Sequence, residues 1–171
     1  PGHRYGIGVD PSEGIGRNNS AIVIIDFSKQ NESGITKPEV VAVYVDNRIA
    51  PDNLAYEIVN GATRYGNPIV AVERNNHGHA TLSKLKGMYW NLYMEEKRER
   101  MANIMTDRLG WHTNRATKPQ MMYAFRDAVH EGLLALNDPD LIRECKGYPS
   151  ETLDAIPFDE DLTEHYDRVM A

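Results

Sequence analysis

Two acidic residues of this sequence stand directly after short apolar runs. Asp10 ends RYGIGVD, and Glu73 ends IVAVE, which begins at Ile69. A carboxylate at the end of a buried strand loses hydration, which costs free energy unless a cation or a donor compensates. Two such carboxylates brought together repel each other unless a divalent cation lies between them. Because hard oxygen ligands suit Mg²⁺ or Mn²⁺, the two acids indicate a metal site.

A third acid, Asp167, lies in the last segment, FDEDLTEHYDRVMA. The helical spacing of Leu162, Tyr166 and Val169 predicts a short terminal helix there. A helix that crosses the carboxyl edge of a sheet can direct one side chain toward acids at that edge. We therefore include Asp167 in the predicted metal site.

Each of the three acids also has an interpretation that involves no metal. Asp10 precedes PSEG and could form an Asx-turn. Glu73 could form a salt bridge with Arg74 or with a lysine of the next helix. Asp167 could be a solvated residue on the polar face of its helix. Only the three acids together favour the metal site over these alternatives.

The segments around the acids predict a mixed α/β fold. Three β-branched runs predict consecutive strands, and the polar loop between the last two favours an antiparallel pair: RYGIGVD, SAIVIIDF and PEVVAVYVD. Helical spacing predicts a helix from Pro51, and the apolar run IVAVE predicts a buried strand that can lie parallel to the first. The carboxyl ends of parallel strands share one edge of a sheet, which would bring Asp10 and Glu73 together.

The remaining segments predict four further elements. RNNHGHATLSKLKGM predicts a loop and a short helix, Met88 to Met94 (MYWNLYM) predicts a strand, and EEKRERMANIMTDRLG predicts a solvated hairpin or loop. ATKPQMMYAFRDAVHEGLLAL is the clearest helix, and Thr117 with Gln120 resembles a capping box at its start. Its apolar stripe comprises Met122, Phe125, Val129, Leu133 and Leu136.

Size and composition favour one domain over residues 1–171. The chain has 171 residues, is 41% hydrophobic and carries a formal net charge of −6, which gives no sign of a strongly basic nucleic-acid binder. A lone cysteine, Cys145, cannot form an internal disulfide, and no apolar run approaches the roughly 20 residues of a membrane span. Because the sequence lacks an initiator methionine and ends within a predicted helix, we expect a fragment of a longer, non-secreted chain.

The sequence resembles the nuclease domain of the large terminase subunit of tailed bacteriophages, a family with the ribonuclease H-like fold. The resemblance covers nearly the whole chain. It is carried by GIGVDPSEG with SAIVIID, then IVAVERNNHGHATL, GWHTNRATKPQMMYAF and HYDRVMA, in the family's order. The first motif occurs in many ribonuclease H-like and actin-like proteins, whereas VERNNHG and GWHTNRATKP are more specific. The resemblance implies a ribonuclease H-like mixed β-sheet flanked by α-helices.

The resemblance also implies an endonuclease that cuts double-stranded viral DNA concatemers during genome packaging. Asp10, Glu73 and Asp167 match the family's first, second and third acids, which are catalytic and bind metal. Many relatives have paired acids at the third place, whereas here Tyr166 precedes Asp167; Asp161 is a neighbouring acid that could substitute. Two Mg²⁺ or Mn²⁺ ions roughly 4 Å apart would then activate a water and stabilise the leaving 3′ oxygen.

Cleavage without marked sequence preference would depend on cations that contact DNA phosphates. Each candidate cation could equally be a solvated surface charge: Lys84, Lys86, Lys97, Arg98, Arg100, Arg115 and Lys118. The partners implied by the resemblance are double-stranded DNA, an amino-terminal ATPase motor domain, the small terminase subunit and the portal. The implied location is the cytoplasm of the infected bacterial host, with no membrane association.

Three alternative functions remain at this stage. An actin-like or sugar-kinase-like phosphotransferase fragment would use DPSEGIG as a phosphate loop, but it needs a second phosphate loop and a second domain. A junction resolvase or transposase core shares the fold but does not account for GWHTNRATKP. A non-catalytic docking module of the packaging machine would have no need of the three acids.

Overall fold

The computed structural model describes residues 4–30, 34–74, 77–99, 104–114, 116–148 and 166–171. Its strands are β1 (Tyr5–Asp10), β2 (Ser20–Asp26), β3 (Glu39–Asp46), β4 (Ile69–Val72), β5 (Met94–Glu99) and β6 (Ile104–Leu109). Its helices are α1 (Pro51–Arg64), α2 (Gly78–Leu85), α3 (Thr117–His130), α4 (Pro139–Gly147) and α5 (Asp167–Met170). None of the helices in these ranges is both long and apolar enough to cross a membrane.

A four-stranded mixed sheet in the order β3-β2-β1-β4 forms the centre of the fold. Strands β1, β2 and β3 pair antiparallel, whereas β4 pairs parallel to β1. The predicted meander and the predicted parallel pair are therefore both confirmed. Helix α1 connects β3 to β4, and its length allows the crossover that a parallel pair requires.

The two faces of the sheet bury different helices. Alternate residues of a strand point to opposite faces, so Ile7 and Val9 of β1 pack in one core with buried residues of α1 and α2. On the other face, Val23 of β2 and Val40 of β3 pack against Leu141 of α4. Residues of α5 join this second cluster, which places α5 on the face of the sheet opposite α1 and α2.

The strand predicted for Met88 to Met94 is wrong. Residues 86–88 form a turn, and Leu92 makes a single β-bridge with Val70 before β5 begins at Met94. Tyr89 is buried and donates its hydroxyl to Pro68 O, whereas the side chain of Trp90 is 79% exposed. The aromatic residues therefore have separate surroundings and do not share the face of a strand.

The predicted long helix at ATKPQMMYAFRDAVHEGLLAL is shorter than its apolar pattern indicates. Helix α3 ends at His130, and Gly132 adopts a positive φ of 67°. Leu133 is consequently exposed, and Leu136 lies beyond the helix and packs in the cluster around Leu141. Of the predicted stripe, only Met122 is buried.

Helix α4 was not predicted, although the sequence contains its start signal. Asp138 is the N-cap residue, and its side chain accepts a hydrogen bond from the Leu141 N–H at 2.7 Å. Pro139 occupies the first turn, where a missing N–H costs nothing.

The predicted hairpin is confirmed, since β5 and β6 pair antiparallel; its residues 100–103 lie outside the described ranges.

We predict that Gly8→Ala destabilises the fold. A Cβ at Gly8 would lie 1.7 Å from Ala171 O, so the backbone of β1 or of the segment that follows α5 would have to shift. Overpacking of this kind costs about 1–3 kcal/mol in the free energy of unfolding, which urea denaturation measures. Gly61→Ala in α1 is the matched control, because its Cβ would lie 3.8 Å from Ile24 Cδ1. This control should gain roughly 1 kcal/mol in helix propensity. Wild-type stability of Gly8→Ala would contradict the close approach of α5 to β1.

Candidate metal centre

The parallel pair of β1 and β4 brings two predicted acids side by side. Val9 pairs with Val72, and the Glu73 N–H donates to Val9 O at 2.8 Å, so Glu73 lies next to Asp10 at the carboxyl edge. The carboxyl groups of Asp10 and Glu73 are therefore close enough to interact: burial, the charge of Glu73 and hydrogen bonding to Glu73 all raise the pKa of Asp10.

Electrostatics favours the protonated form of Asp10. Burial raises the pKa of Asp10 well above its usual value, and the negative charges of Glu73 and Asp167 raise it further. The positive charge of Lys118 acts in the opposite direction. Among the described groups that act on Asp10, two carboxylates therefore accompany one cation, a balance that favours a divalent ion.

Asp167, the third predicted acid, lies in the same group. It is the first residue of α5 and is only 8% exposed. Helix α5 packs on β1 and β2, and the charge of Asp167 acts on the pKa of Asp10. The structure therefore brings Asp10, Glu73 and Asp167 together, while their roles as metal ligands stay predictions.

Asn19 is a residue of this site that the sequence analysis missed. Its backbone N–H and its side-chain Nδ2 both donate to Asp167 Oδ2, at 3.2 and 2.8 Å. These contacts join residues 148 positions apart in the sequence. The only signal was a small amide between a loop and a strand, which is not specific to such a role.

The glycine-containing loop between β1 and β2 is packed against its own fold. The Gly16 N–H donates to Asn47 O at 2.7 Å, and a Cβ at Gly14 would lie 2.2 Å from Ile49 O. Gly14 and Gly16 both have positive φ angles, which glycine adopts readily. The loop therefore uses its glycines to turn tightly and to place Asn19 beside Asp167.

The Asx-turn at Asp10, the salt bridge of Glu73 with Arg74 and the solvated position of Asp167 do not match the geometry. The Ser12 N–H, which an Asx-turn at Asp10 would use, donates instead to Ser20 Oγ at 2.9 Å. The guanidinium of Arg74 forms its salt bridge with Glu95 of β5. Asp167 is buried, whereas a solvated residue on a polar helix face would be exposed.

Residues of the motif VERNNHG hold the end of β4 against the hairpin on one side and against α2 on the other. Arg74 donates to the carbonyl oxygens of Leu109 and Gly110, both at 3.3 Å, and so joins β4 to the end of the hairpin. A Cβ at Gly78 would lie 1.7 Å from Glu73 O, so only glycine allows α2 to begin at this point. Glu73 is thereby held between the hairpin and α2.

The motif GWHTNRATKP connects β4 to α3. Trp111 pairs with Glu73 in a β-bridge, and its N–H donates to Val72 O at 2.9 Å. Asn114 Oδ1 then accepts the N–H groups of Ala116 and Thr117, at 2.8 and 3.1 Å, at the start of α3. The helix start is therefore satisfied by Asn114 and not by the predicted capping box.

Lys118, a predicted DNA contact, lies beside the acids. Burial lowers the pKa of its ammonium group, whereas the charges of Glu73 and Asp10 raise it. The first turn of α3 therefore places one cation next to two of the carboxylates. A contact between Lys118 and a DNA phosphate stays a prediction.

The other predicted DNA contacts lie elsewhere or outside the described ranges. Lys84 Nζ lies 5.3 Å from the ring centroid of Tyr56. Lys84 is in the last turn of α2, about 9 Å along the helix axis from Gly78, and Lys86 is exposed. Outside the described part of the chain are Arg100, Arg115, Asp161 and the side chains of Lys97 and Arg98.

The donor chemistry of the site suits a hard divalent cation. Mg²⁺ is often held by one or two carboxylates and completes its coordination with water and substrate phosphate. Asp10 and Glu73 form such a pair, and a cation bound between them would favour the ionised form of Asp10. Among the described residues, no three histidine, cysteine or acidic side chains are placed to hold one ion together.

Comparison with solved structures defines the class of fold. No protein-family model and no curated protein matches the sequence. The fold is that of the large terminase nucleases, so the predicted resemblance and the predicted mixed β-sheet flanked by α-helices are confirmed at the level of the fold.

Two crystal structures illustrate the match. The large terminase nuclease of thermophilic phage G20c with bound magnesium has a TM-score of 0.65 and 15% identity, covering 99% of this chain and 78% of that chain. The large terminase nuclease domain of bacteriophage SPP1 with bound manganese has a TM-score of 0.52 and 13% identity, covering 98% of this chain and 83% of that chain. These two proteins thus bind divalent metals on the fold that this chain adopts.

We predict that Asp10→Asn stabilises the metal-free protein, because asparagine has no charge to bury. The pKa of Asp10 is higher in the folded than in the unfolded state, so wild-type stability falls as the pH rises above about 4 toward the folded-state pKa. In EDTA at mildly alkaline pH, the melting temperature of the variant should be about 2–4 °C higher than that of the wild type. The difference should vanish near about pH 4, where Asp10 is protonated in both states. A lower melting temperature for the variant across this range would contradict the pKa shift.

We also predict that Asn19→Ala weakens metal binding through Asp167. The change removes the Nδ2 donor and leaves the backbone N–H. Loss of such a supporting hydrogen bond should weaken Mn²⁺ affinity about tenfold, measured by isothermal titration calorimetry. Asn18→Ala is the control, since Asn18 contacts Ser12 through its backbone carbonyl. Equal affinities for both variants would exclude a supporting role for Asn19.

Proposed function

We propose that this protein is a divalent-metal-dependent endonuclease that cuts double-stranded viral DNA during genome packaging. The observation that carries the proposal is the hydrogen-bonded pair of Asp10 and Glu73, with buried Asp167 in the same group. Magnesium and manganese bound to terminase nucleases of the same fold support the choice of metal. Asp10, Glu73 and Asp167 would hold the ions.

The proposed chemistry is hydrolysis of a phosphodiester bond without a protein nucleophile. Two bound Mg²⁺ or Mn²⁺ ions would lower the pKa of the attacking water and neutralise charge on the leaving 3′ oxygen. Asp10 would be ionised when it acts as a ligand, and Asn19 would keep Asp167 oriented by donating two hydrogen bonds to its carboxylate. The ammonium of Lys118 can then contact a backbone phosphate beside the acids.

The proposed biological setting follows from the same resemblance. Residues 1–171 would act as one nuclease domain that works with an ATPase motor domain, the small terminase subunit and the portal. The DNA would be cut in the cytoplasm of the infected bacterium. Because the net charge of this chain is −6, its own affinity for DNA should be weak, and the motor domain would contribute to holding the substrate.

We predict that the protein nicks and linearises supercoiled plasmid in Mg²⁺ or Mn²⁺ and loses this activity in EDTA. Loss of a ligand costs more than loss of a supporting hydrogen bond, so Asp10→Asn and Glu73→Gln should each lower the cleavage rate by more than about 100-fold. The measurement is the initial rate of conversion of supercoiled DNA on agarose gels, with folding checked by circular dichroism.

Asp127→Asn is the matched control for the loss of an acid. Asp127 lies on α3, its side chain is 56% exposed, and its carboxylate pairs with Arg126. This variant should cut at the wild-type rate. Undiminished cleavage by Asp10→Asn in the same assay would contradict the assignment of the site.

A further inference from the structure

Helix α5, which carries Asp167, is held in place by contacts with another helix. Within α5, the Met170 N–H donates to Tyr166 O and the Ala171 N–H donates to Asp167 O, both at 3.0 Å. The first backbone N–H groups of a helix have no partner within it, so they bond to other parts of the protein.

Glu144 of α4 supplies the strongest of these contacts. Its Oε2 accepts the backbone N–H of Arg168 at 3.0 Å and that of Val169 at 3.3 Å. Its Oε1 forms an ion pair with the Arg168 guanidinium, and the Glu144 side chain is only 11% exposed. A carboxylate in this position satisfies donors of the first helical turn that have no partner within the helix.

Helix α4 packs against the sheet, and this packing fixes the position of Glu144. Leu141, one turn before Glu144, is 2% exposed and packs against Val23 and Val40. At the other end of α4, the Tyr166 hydroxyl donates to Gly147 O at 2.7 Å. The connection from the sheet to α5 therefore runs through α4.

We propose that Glu144 is a positioning residue that fixes Asp167 for metal binding. Glu144 holds the two backbone amides that follow Asp167, while Asn19 holds its carboxylate, so Asp167 is restrained from both sides. Without the Glu144 carboxylate, α5 would sample other positions and Asp167 would meet the metal less often. This inference rests on the proposed function, since it assumes that Asp167 binds the metal.

The test compares Glu144→Gln with Asp140→Asn in the 171-residue protein. The Asp140 carboxylate also reaches the Arg168 guanidinium, at 3.5 Å, but the described contacts give it no bond to an α5 amide. Both variants remove one negative charge from the same ion-pair network. Only Glu144→Gln alters the contacts of the α5 backbone with α4 directly, because its neutral amide oxygen accepts from the two N–H groups more weakly than a carboxylate and its NH₂ group cannot accept from the guanidinium.

Two measurements report on positioning rather than on general stability. For Glu144→Gln, Mn²⁺ affinity by calorimetry without DNA should weaken about tenfold, as should the Mn²⁺ concentration for half-maximal plasmid cleavage. The cleavage rate should recover at saturating Mn²⁺, which an unfolded protein would not show. Hydrogen exchange of the Arg168 and Val169 amides should accelerate in the metal-free variant. Asp140→Asn should stay within about twofold of wild type in metal affinity.

The outcomes separate this inference from the proposed function. Wild-type Mn²⁺ affinity in Glu144→Gln, in a protein whose wild type binds metal and cuts DNA, would overturn the inference alone. A wild type that neither binds Mn²⁺ nor cuts would overturn both. If Glu144→Gln does not fold, Tyr166→Phe takes its place, since it removes only the bond to Gly147 O. A weaker Mn²⁺ affinity in Tyr166→Phe supports the inference, and an unchanged affinity counts against it.

Discussion

Two carboxylates at the ends of neighbouring parallel strands impose the main constraint on this structure. The register of β1 and β4 places Asp10 beside Glu73, and burial makes their negative charges costly. In the metal-free protein, protonation of Asp10 and the nearby charge of Lys118 would reduce this cost. A sequence selected for stability alone would have no reason to keep such a pair, which is why the pair itself points to a bound cation.

Much of the surrounding backbone serves to keep this edge of the sheet compact. Glycine at positions 8 and 78 allows Ala171 and the carbonyl of Glu73 to approach within distances that no side chain would permit. Gly110, with a φ of 78°, similarly lets the end of the hairpin reach Val72 O. Each of these close contacts joins one acid-bearing segment to its neighbour. The fold therefore concentrates its tightest backbone packing around the candidate metal centre.

Local sequence patterns predicted the strands of the central sheet. They also predicted that Asp10 and Glu73 lie next to each other at one edge of that sheet. Strands β1 to β4 and helix α1 have strong periodicity, and parallel pairing follows from the crossover helix, so Asp10 and Glu73 could be placed together before the structure was known. Asp167 was included as the acid of the terminal helix that could reach the sheet edge and was then matched through the resemblance, but its burial against β1 and β2 depends on contacts that no local pattern specifies. The Met88–Met94 strand failed because hydrophobicity does not reveal which aromatic side chains turn outward, as Trp90 does.

Contacts between distant segments were beyond sequence reasoning. Asn19 and Glu144 are ordinary polar residues in their own segments, and they acquire roles only when folding brings α5 against the β1–β2 loop and α4. Tyr166 illustrates the same limit. Its position next to Asp167 raised the question of a missing acid, and the structure shows that its hydroxyl bonds to Gly147 O.

The most direct test of the central claim is the anomalous difference map of a crystal soaked in Mn²⁺. The account predicts anomalous peaks in contact with the carboxylates of Asp10 and Glu73, with Asp167 at one of them and the carboxyl–carboxyl hydrogen bond broken. Peaks confined to other parts of the surface, with Asp10 and Glu73 still hydrogen-bonded to each other, would contradict it.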